Sequence, residues 1–389
     1  MNKVLYITQG LNRASGASKS GSDVLRAISL YHEVEVVTNR NLTSPFKVES
    51  YKAKVSFKYV KRFLTKKISL RNLYYYAMNC ISSKKYYCKK DIDLVLVNSF
   101  CSKIFNSVDF SESNAKKVCV VRGSISSFKS DSSAQVLKEA LSYLSQFDGY
   151  IFVSSNTQKE WMLEPELTGK SAYYIPNCCN ESEVDNLLKQ NRESIKQSLI
   201  TLKKIDLKNK FIISCIGSVQ KRKGQDLLVS AALELLKSKQ TDLLVILVGG
   251  SVNGFEQHLK DLIDESGFAD NFIFTGYIKE SLSYLYISDL MVLPSRGEAM
   301  PRSVLESMAL SVPVITSNLD GMPELIVNGE TGILLDELDV PSIKKALDFM
   351  INNESVRNEF SVSSHKKYWS DFSHELQINR YKSLLEKLL

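Results

Sequence analysis

Residues 288–335 read SDLMVLPSRGEAMPRSVLESMALSVPVITSNLDGMPELIVNGETGILL, and this stretch decides the fold. A short apolar run, 290–293, enters a loop of Pro, Ser and Gly, and a helical stretch starts near Pro301, a residue suited to a first turn. Two further apolar runs follow at 314–316 and 333–335. Short, continuously apolar strands separated by helices belong to parallel sheets covered on both faces. Outward from here the rhythm repeats, with strands at 211–216, 243–248 and 272–275 and amphipathic helical stretches at 226–237 and 255–266. The first half carries a second series, with strands at 4–7, 34–38, 94–97, 118–121, 150–153 and 173–175 and a helical stretch at 22–31. A polar helical stretch, 181–202, separates the two series. The pattern predicts an α/β protein of two doubly wound domains, 1–185 and 206–368, with a final helix, 369–389, that follows no strand.

Composition excludes several classes. The chain has 389 residues, 44% hydrophobic and 24% charged, which is ordinary for a folded protein and too apolar for a disordered one. No run approaches the ~18 apolar residues of a membrane span. The start lacks a signal peptide's apolar core, so the expectation is a cytoplasmic chain. Seven cysteines without regular spacing make a poor disulfide framework, and the four histidines include none beside a cysteine pair, so no zinc site is expected.

Charge is uneven. Residues 1–185 hold 26 Lys/Arg against 17 Asp/Glu, within a total net charge of +7. From Ser50 to Lys90 there are 12 Lys/Arg and no acidic residue, interleaved with tyrosines and phenylalanines. Three readings fit: a solvated basic face, a face resting on an anionic membrane, and, least favoured, a nucleic-acid surface.

Ligands of doubly wound sheets sit at the carboxyl ends of the strands. The first such loop, residues 8–21, has neither G-x-G-x-x-G nor Walker spacing, but its small residues at a helix start leave N–H groups free for an anion. The second, Gly217-Ser218-Val219-Gln220-Lys221-Arg222-Lys223-Gly224, gathers three cations before a helix, a placement that makes sense around a bound anion such as a diphosphate. The third carries Glu298 and Glu306. On one helix they would stand about 12 Å apart, beyond the ~5–9.5 Å of paired glycosidase carboxylates. That spacing suits two carboxylates holding separate diols of one extended ligand. There is no G-x-S-x-G elbow. Asp91-Ile92-Asp93 precedes its strand, the wrong end for a ligand, and reads as structural.

The runs IGSVQKRKGQDLLVSA, VILVGG and FIFTGYI, followed by Glu298-x7-Glu306, Met308-Ala309, Pro313-Val314-Ile315 and Gly321-Met322-Pro323-Glu324-Leu325, resemble a retaining glycosyltransferase of family 4 (glycosyl transferases group 1). The resemblance is close over about a third of the chain and extends in outline over the rest, with Ser15-Gly16-Ala17 at the family's glycine pair and Ile175-Pro176-Asn177 at its Ile-Pro-Asn-Gly. It implies the GT-B fold, two Rossmann-like domains facing across a cleft, with the last helix returning to the first domain. It also implies a nucleotide-sugar donor, a UDP-sugar favoured, no metal and no further cofactor. Carried over by position, Lys223 binds the diphosphate, Glu306 the ribose hydroxyls, and Glu298 with Ala299, Met300, Pro301 and Arg302 faces the sugar. Gly16 lets the phosphates approach, and Tyr277 and Ile278 border the base. The chain departs from the family twice. Ser218 stands where Gly-Arg is usual, leaving Arg222 or Lys221 to supply the cation. Arg122-Gly123 replaces a histidine that contacts the sugar; Arg122 cannot accept a proton at neutral pH but could donate hydrogen bonds to sugar or phosphate. The expected reaction is transfer to a glycan or lipid-linked acceptor in bacterial surface polysaccharide assembly, with no nucleic-acid partner. An inactive scaffold subunit and a sugar-nucleotide epimerase are the alternatives.

Overall fold

The computed structural model describes residues 2–8, 16–38, 55–59, 86–99, 105–106, 108–126, 134–203, 207, 209–238 and 242–389. Most of the basic segment from Ser50 to Lys90, and residues 9–15 of the first loop, lie outside them. Among the described residues the first half supplies β1 (Lys3–Thr8), β2 (Glu33–Thr38), β3 (Val55–Tyr59), β4 (Tyr86–Tyr87), β5 (Leu94–Asn98), β6 (Val108–Asp109), β7 (Lys116–Val121), β8 (Gly149–Phe152) and β9 (Ser171–Tyr174). The second supplies β10 (Phe211–Ile216), β11 (Leu243–Val248), β12 (Phe272–Gly276), β13 (Leu290–Leu293), β14 (Val314–Ser317) and β15 (Ile333–Leu335).

Two parallel sheets result, ordered β3-β2-β1-β5-β7-β8-β9 and β12-β11-β10-β13-β14-β15, while β4 and β6 form a separate ribbon. Each order reverses direction once, beside β1 and beside β10, and at such reversals a crevice opens at the strands' carboxyl ends. The buried runs explain the layers. Along β1, Val4 and Tyr6 face one core, whereas Leu5 and Ile7 face another, as the strand period of two requires. The Val4–Tyr6 side belongs to a core that continues without a break into the second half. The other side forms its own core with Phe105, Phe147 and Trp161.

Several boundaries differ from the sequence reading, among them the first helix, which runs Gly16–Ser29 rather than 22–31. The stretch 181–202 is two helices, Glu181–Leu188 and Arg192–Lys203, because Asn191 Oδ1 accepts the N–H groups of Glu193 and Ser194 and starts a new helix. The last helix begins at His374 rather than 369, capped by Ser373 Oγ on Leu376 N. Pro301 is extended and stands just before the helix Arg302–Ala309, not in its first turn.

The two C-terminal helices, Glu354–Asp371 and His374–Leu388, span both halves. Tyr368 Oη accepts Cys179 N–H and donates to Glu181, Gln377 Nε2 donates to the Pro176 carbonyl, and Lys382 lies over the Tyr31 ring. Asp91 and Asp93 bind Lys3 at the amino ends of β1 and β5, away from the crevice. No described helix is long and apolar enough to cross a membrane.

Candidate active site

The loop after β10 leaves the sheet at Gly217, whose φ of 148° is a conformation side chains rarely adopt. The Lys223 side chain lies along this glycine; a Cβ there would stand 3.4 Å from Lys223 Cε. Residues Lys221–Lys223 make one tight turn before the helix Gln225–Ser238. The turn is zipped to the loop after β13, since Arg296 N–H and Ser295 Oγ both donate to the Arg222 carbonyl, at 2.7 and 3.0 Å. Arg296 also forks onto Asp226, at 2.9 and 2.8 Å.

This zipper brings Arg222 Nη1 and Lys223 Nζ to the same oxygen of Glu298, each at 2.5 Å. Burial alone would raise the Glu298 carboxyl, but Lys223 and Arg222 outweigh it and hold the group below the usual carboxylate range. The Glu298 backbone is fixed as well. Its N–H donates to Asp320 Oδ2 at 2.8 Å, and its carbonyl accepts Gly321 N–H at 3.2 Å. Gly321 admits no side chain, because a Cβ would lie 1.6 Å from the Ala299 carbonyl oxygen.

Glu306 is the opposite case. It sits in the helix Arg302–Ala309 with its side chain only 6% exposed. Among the described residues its carboxylate accepts no hydrogen bond; its nearest cations are Arg302 Nε at 3.8 Å and Lys19 Nζ at 3.9 Å. Burial raises its carboxyl, and Lys19 and Arg302 offset this only in part. Arg302 Nε is itself buried without a hydrogen-bond partner. The rest of that guanidinium pairs with Asp23 of the first half.

The first half frames the crevice from the other side. Helix Gly16–Ser29 begins opposite Arg302, 4.0 Å separating a Cβ built on Gly16 from Arg302 Cδ, and supplies Lys19 and Asp23. Arg122 donates to Asn98 Oδ1 at 2.8 Å, to Asn177 Oδ1 and to the Ser20 carbonyl at 3.4 Å, so its donors brace protein groups. Asn177 Nδ2 in turn donates to the Met300 carbonyl at 3.0 Å. Ala299, Met300 and Pro301 are buried in this contact. Ser218 is tied to Gln220 and Gln225, while Tyr277 and Ile278 follow β12, the tyrosine 57% exposed.

The sequence reading did not single out Lys19, Asp23, Asn98, Asp320 or Ser126 as site residues. Asn98, Ser126 and Asp320 lie at or just after strand ends, which is the signal that could have found them; Lys19 and Asp23 lie one turn apart on the helix Gly16–Ser29.

Two Rossmann-like domains with their strand carboxyl ends facing one crevice define the GT-B fold. The Anabaena protein Alr3699/HepE, solved in complex with UDP and glucose, superposes with a TM-score of 0.75 at 17% identity, covering 100% of each chain. Residues 200–367 match the family model of glycosyl transferases group 1. Among relatives, the Staphylococcus aureus capsular polysaccharide biosynthesis glycosyltransferase CapM is 28% identical over 189 residues, 47% of this chain and 48% of CapM. The Rhizobium meliloti lipopolysaccharide core biosynthesis mannosyltransferase LpsB is 27% identical over 190 residues, 48% of this chain and 54% of LpsB. The chain thus spans about half the length of the curated relatives it matches.

Proposed function

We propose that the protein is a retaining, metal-independent family 4 glycosyltransferase that moves a sugar from a nucleotide-diphosphate donor, UDP-linked by preference, to a glycan or lipid-linked acceptor in bacterial surface polysaccharide assembly. The observation that carries the reading is Glu306: a carboxylate enclosed at the crevice with no donor on it among the described residues is poised for a ligand's hydroxyls, since a buried acceptor left unpaired costs about 1–3 kcal/mol or more. The relatives' roles in capsule and lipopolysaccharide core assembly support the pathway assignment.

In this reading the donor's diphosphate takes the place of the Glu298 carboxylate on Lys223 and Arg222, and Glu298 turns to the sugar. The bond from the anomeric carbon to the phosphate oxygen breaks as the acceptor oxygen attacks on the same face, and the departing phosphate takes the acceptor's proton. Fixed cations aimed at the leaving oxygen supply the main stabilisation. Arg122 holds Asn177 against the donor loop. The segment from Ser50 to Lys90 would rest on an anionic membrane near the acceptor, with about 1 kcal/mol per basic residue.

The test is mass spectrometry of products from a panel of nucleotide sugars with glycan and lipid-linked acceptors, with and without EDTA. Transfer that survives EDTA with retained anomeric configuration by NMR is expected. Absence of transfer and of nucleotide release across the panel would overturn the reading, as would inversion for the retaining mechanism. Co-sedimentation indifferent to anionic lipid would remove the membrane contact.

A further inference from the structure

Asp320 occupies a left-handed backbone position, with φ 52°. Aspartate tolerates this conformation, yet it is disfavoured for residues with a Cβ, so its bonds hold it there. Its carboxylate accepts the Glu298 backbone N–H at 2.8 Å and lies 2.7 Å, by either oxygen, from Ser126 Oγ of the first half. Its carbonyl accepts Asn156 Nδ2, also of the first half, at 3.0 Å. Four residues on, the Glu324 carboxylate receives Ser154 Oγ at 2.6 Å, Asn156 N–H at 2.9 Å and Ser155 N–H at 3.1 Å. The first part of the connection between β14 and β15 is therefore docked on the first half through Asp320 and Glu324, while Asp320 grips the second half's Glu298.

We infer that Asp320 is a positioning residue that makes the placement of Glu298 depend on contact with Ser126 across the crevice. The inference rests on Glu298 facing the donor sugar, as proposed above. Separating the halves breaks the bonds from Ser126 and Asn156 and leaves Asp320 holding the Glu298 amide without support. The same loop is tied at alternate residues, Met300 by Asn177 and Arg302 by Asp23. Glu298 differs from these two in being reached through an intermediary. Ser126 touches no donor-facing residue in this scheme and acts only through Asp320.

Ser126→Ala separates this idea from a local structural role. Expected is a drop in kcat of about 10-fold, donor KM changed less than threefold, restored by Ser126→Thr, which keeps the hydroxyl. In hydrogen exchange without ligand, the 297–302 segment should exchange at least fivefold faster in Ser126→Ala. Asp320→Asn should show both effects more strongly. Unchanged exchange at 297–302 in Ser126→Ala overturns the coupling, and faster exchange with unchanged kcat overturns the positioning role. If the wild type transfers no sugar at all, the function reading fails and the exchange result alone decides whether the coupling exists.

Discussion

Glu298 and Glu306 belong to one loop-and-helix unit and are both enclosed, yet they are opposite electrostatic objects. Glu298 shares an oxygen with Lys223 and Arg222, so its charge is compensated and its carboxyl is held low. Glu306 has its cations nearly 4 Å away and no hydrogen bond among the described residues, so burial dominates and its carboxyl is raised. The difference separates a carboxylate that the fold has already paired from one that it leaves uncompensated. A compensated carboxylate stabilises the crevice as it stands; an uncompensated one stores a cost that a binding partner can relieve.

The largest expected effect breaks the compensated end. Lys223→Ala removes the cation assigned to the leaving phosphate and should lower turnover by about 10²–10³ at saturating donor, the loss typical of one preorganised charge-stabilising group. Nucleotide release by mass spectrometry measures it. Intact turnover would remove Lys223 from the chemistry.

Neutralising each glutamate then sharpens the contrast through stability. Glu298→Gln leaves two enclosed cations under-compensated and should destabilise the fold by about 3 kcal/mol at neutral pH. Glu306→Gln should melt higher than wild type there, while losing roughly 10- to 100-fold in donor affinity as charge-assisted hydrogen bonds worth about 1.5–3 kcal/mol are weakened. The pH dependence has opposite signs. Between the ordinary carboxylate value and its raised value in the fold, Glu306 keeps a proton that the unfolded chain has released, so its contribution to stability falls as pH rises through that window. For Glu298 the unfolded chain binds the extra proton, so its contribution is present above the ordinary value and lost as pH falls through the depressed one. Calorimetric melting from pH 3 to 8 should show the Glu306→Gln advantage growing with pH and the Glu298→Gln deficit shrinking in acid. Parallel curves would mean that the two environments are alike.

The fold was legible where strands are apolar throughout, because double-sided burial leaves an unbroken run such as Leu243–Val248. Strand β3 escaped because Val55, Phe57 and Tyr59 alternate with Ser56 and Lys58 inside a basic segment, where charge masked the period of two. Helix ends moved where a single side chain decides them, as Asn191 and Ser373 do. Within the site, the loops were readable from their place after strands. The partners were not, since Arg302 meets Asp23 and Asp320 meets Ser126 across hundreds of residues, and no spacing in a single sequence encodes that meeting.

The smallest effect probes the boundary between the two environments. Lys19 is the first half's cation beside Glu306, opposed there by Asp23 and Glu183; it stands 3.9 Å away with 24% of its side chain exposed, so solvent screens much of the pair. Lys19→Met should therefore change nucleoside-diphosphate affinity at pH 7 only two- to fivefold, in line with the ~0.2–1 kcal/mol of a partly exposed pair. Its signature is the pH at which binding fades. A hydroxyl donates best to an ionised carboxylate, so affinity should fall as pH drops through the raised Glu306 value, and without Lys19 to lower that value the fall should begin at higher pH. Titration calorimetry with UDP from pH 4.5 to 8 reads the shift directly. Wild type and Lys19→Met should give displaced profiles and Glu306→Gln a flat one; coincident profiles would show that Lys19 exerts no influence on Glu306 in solution.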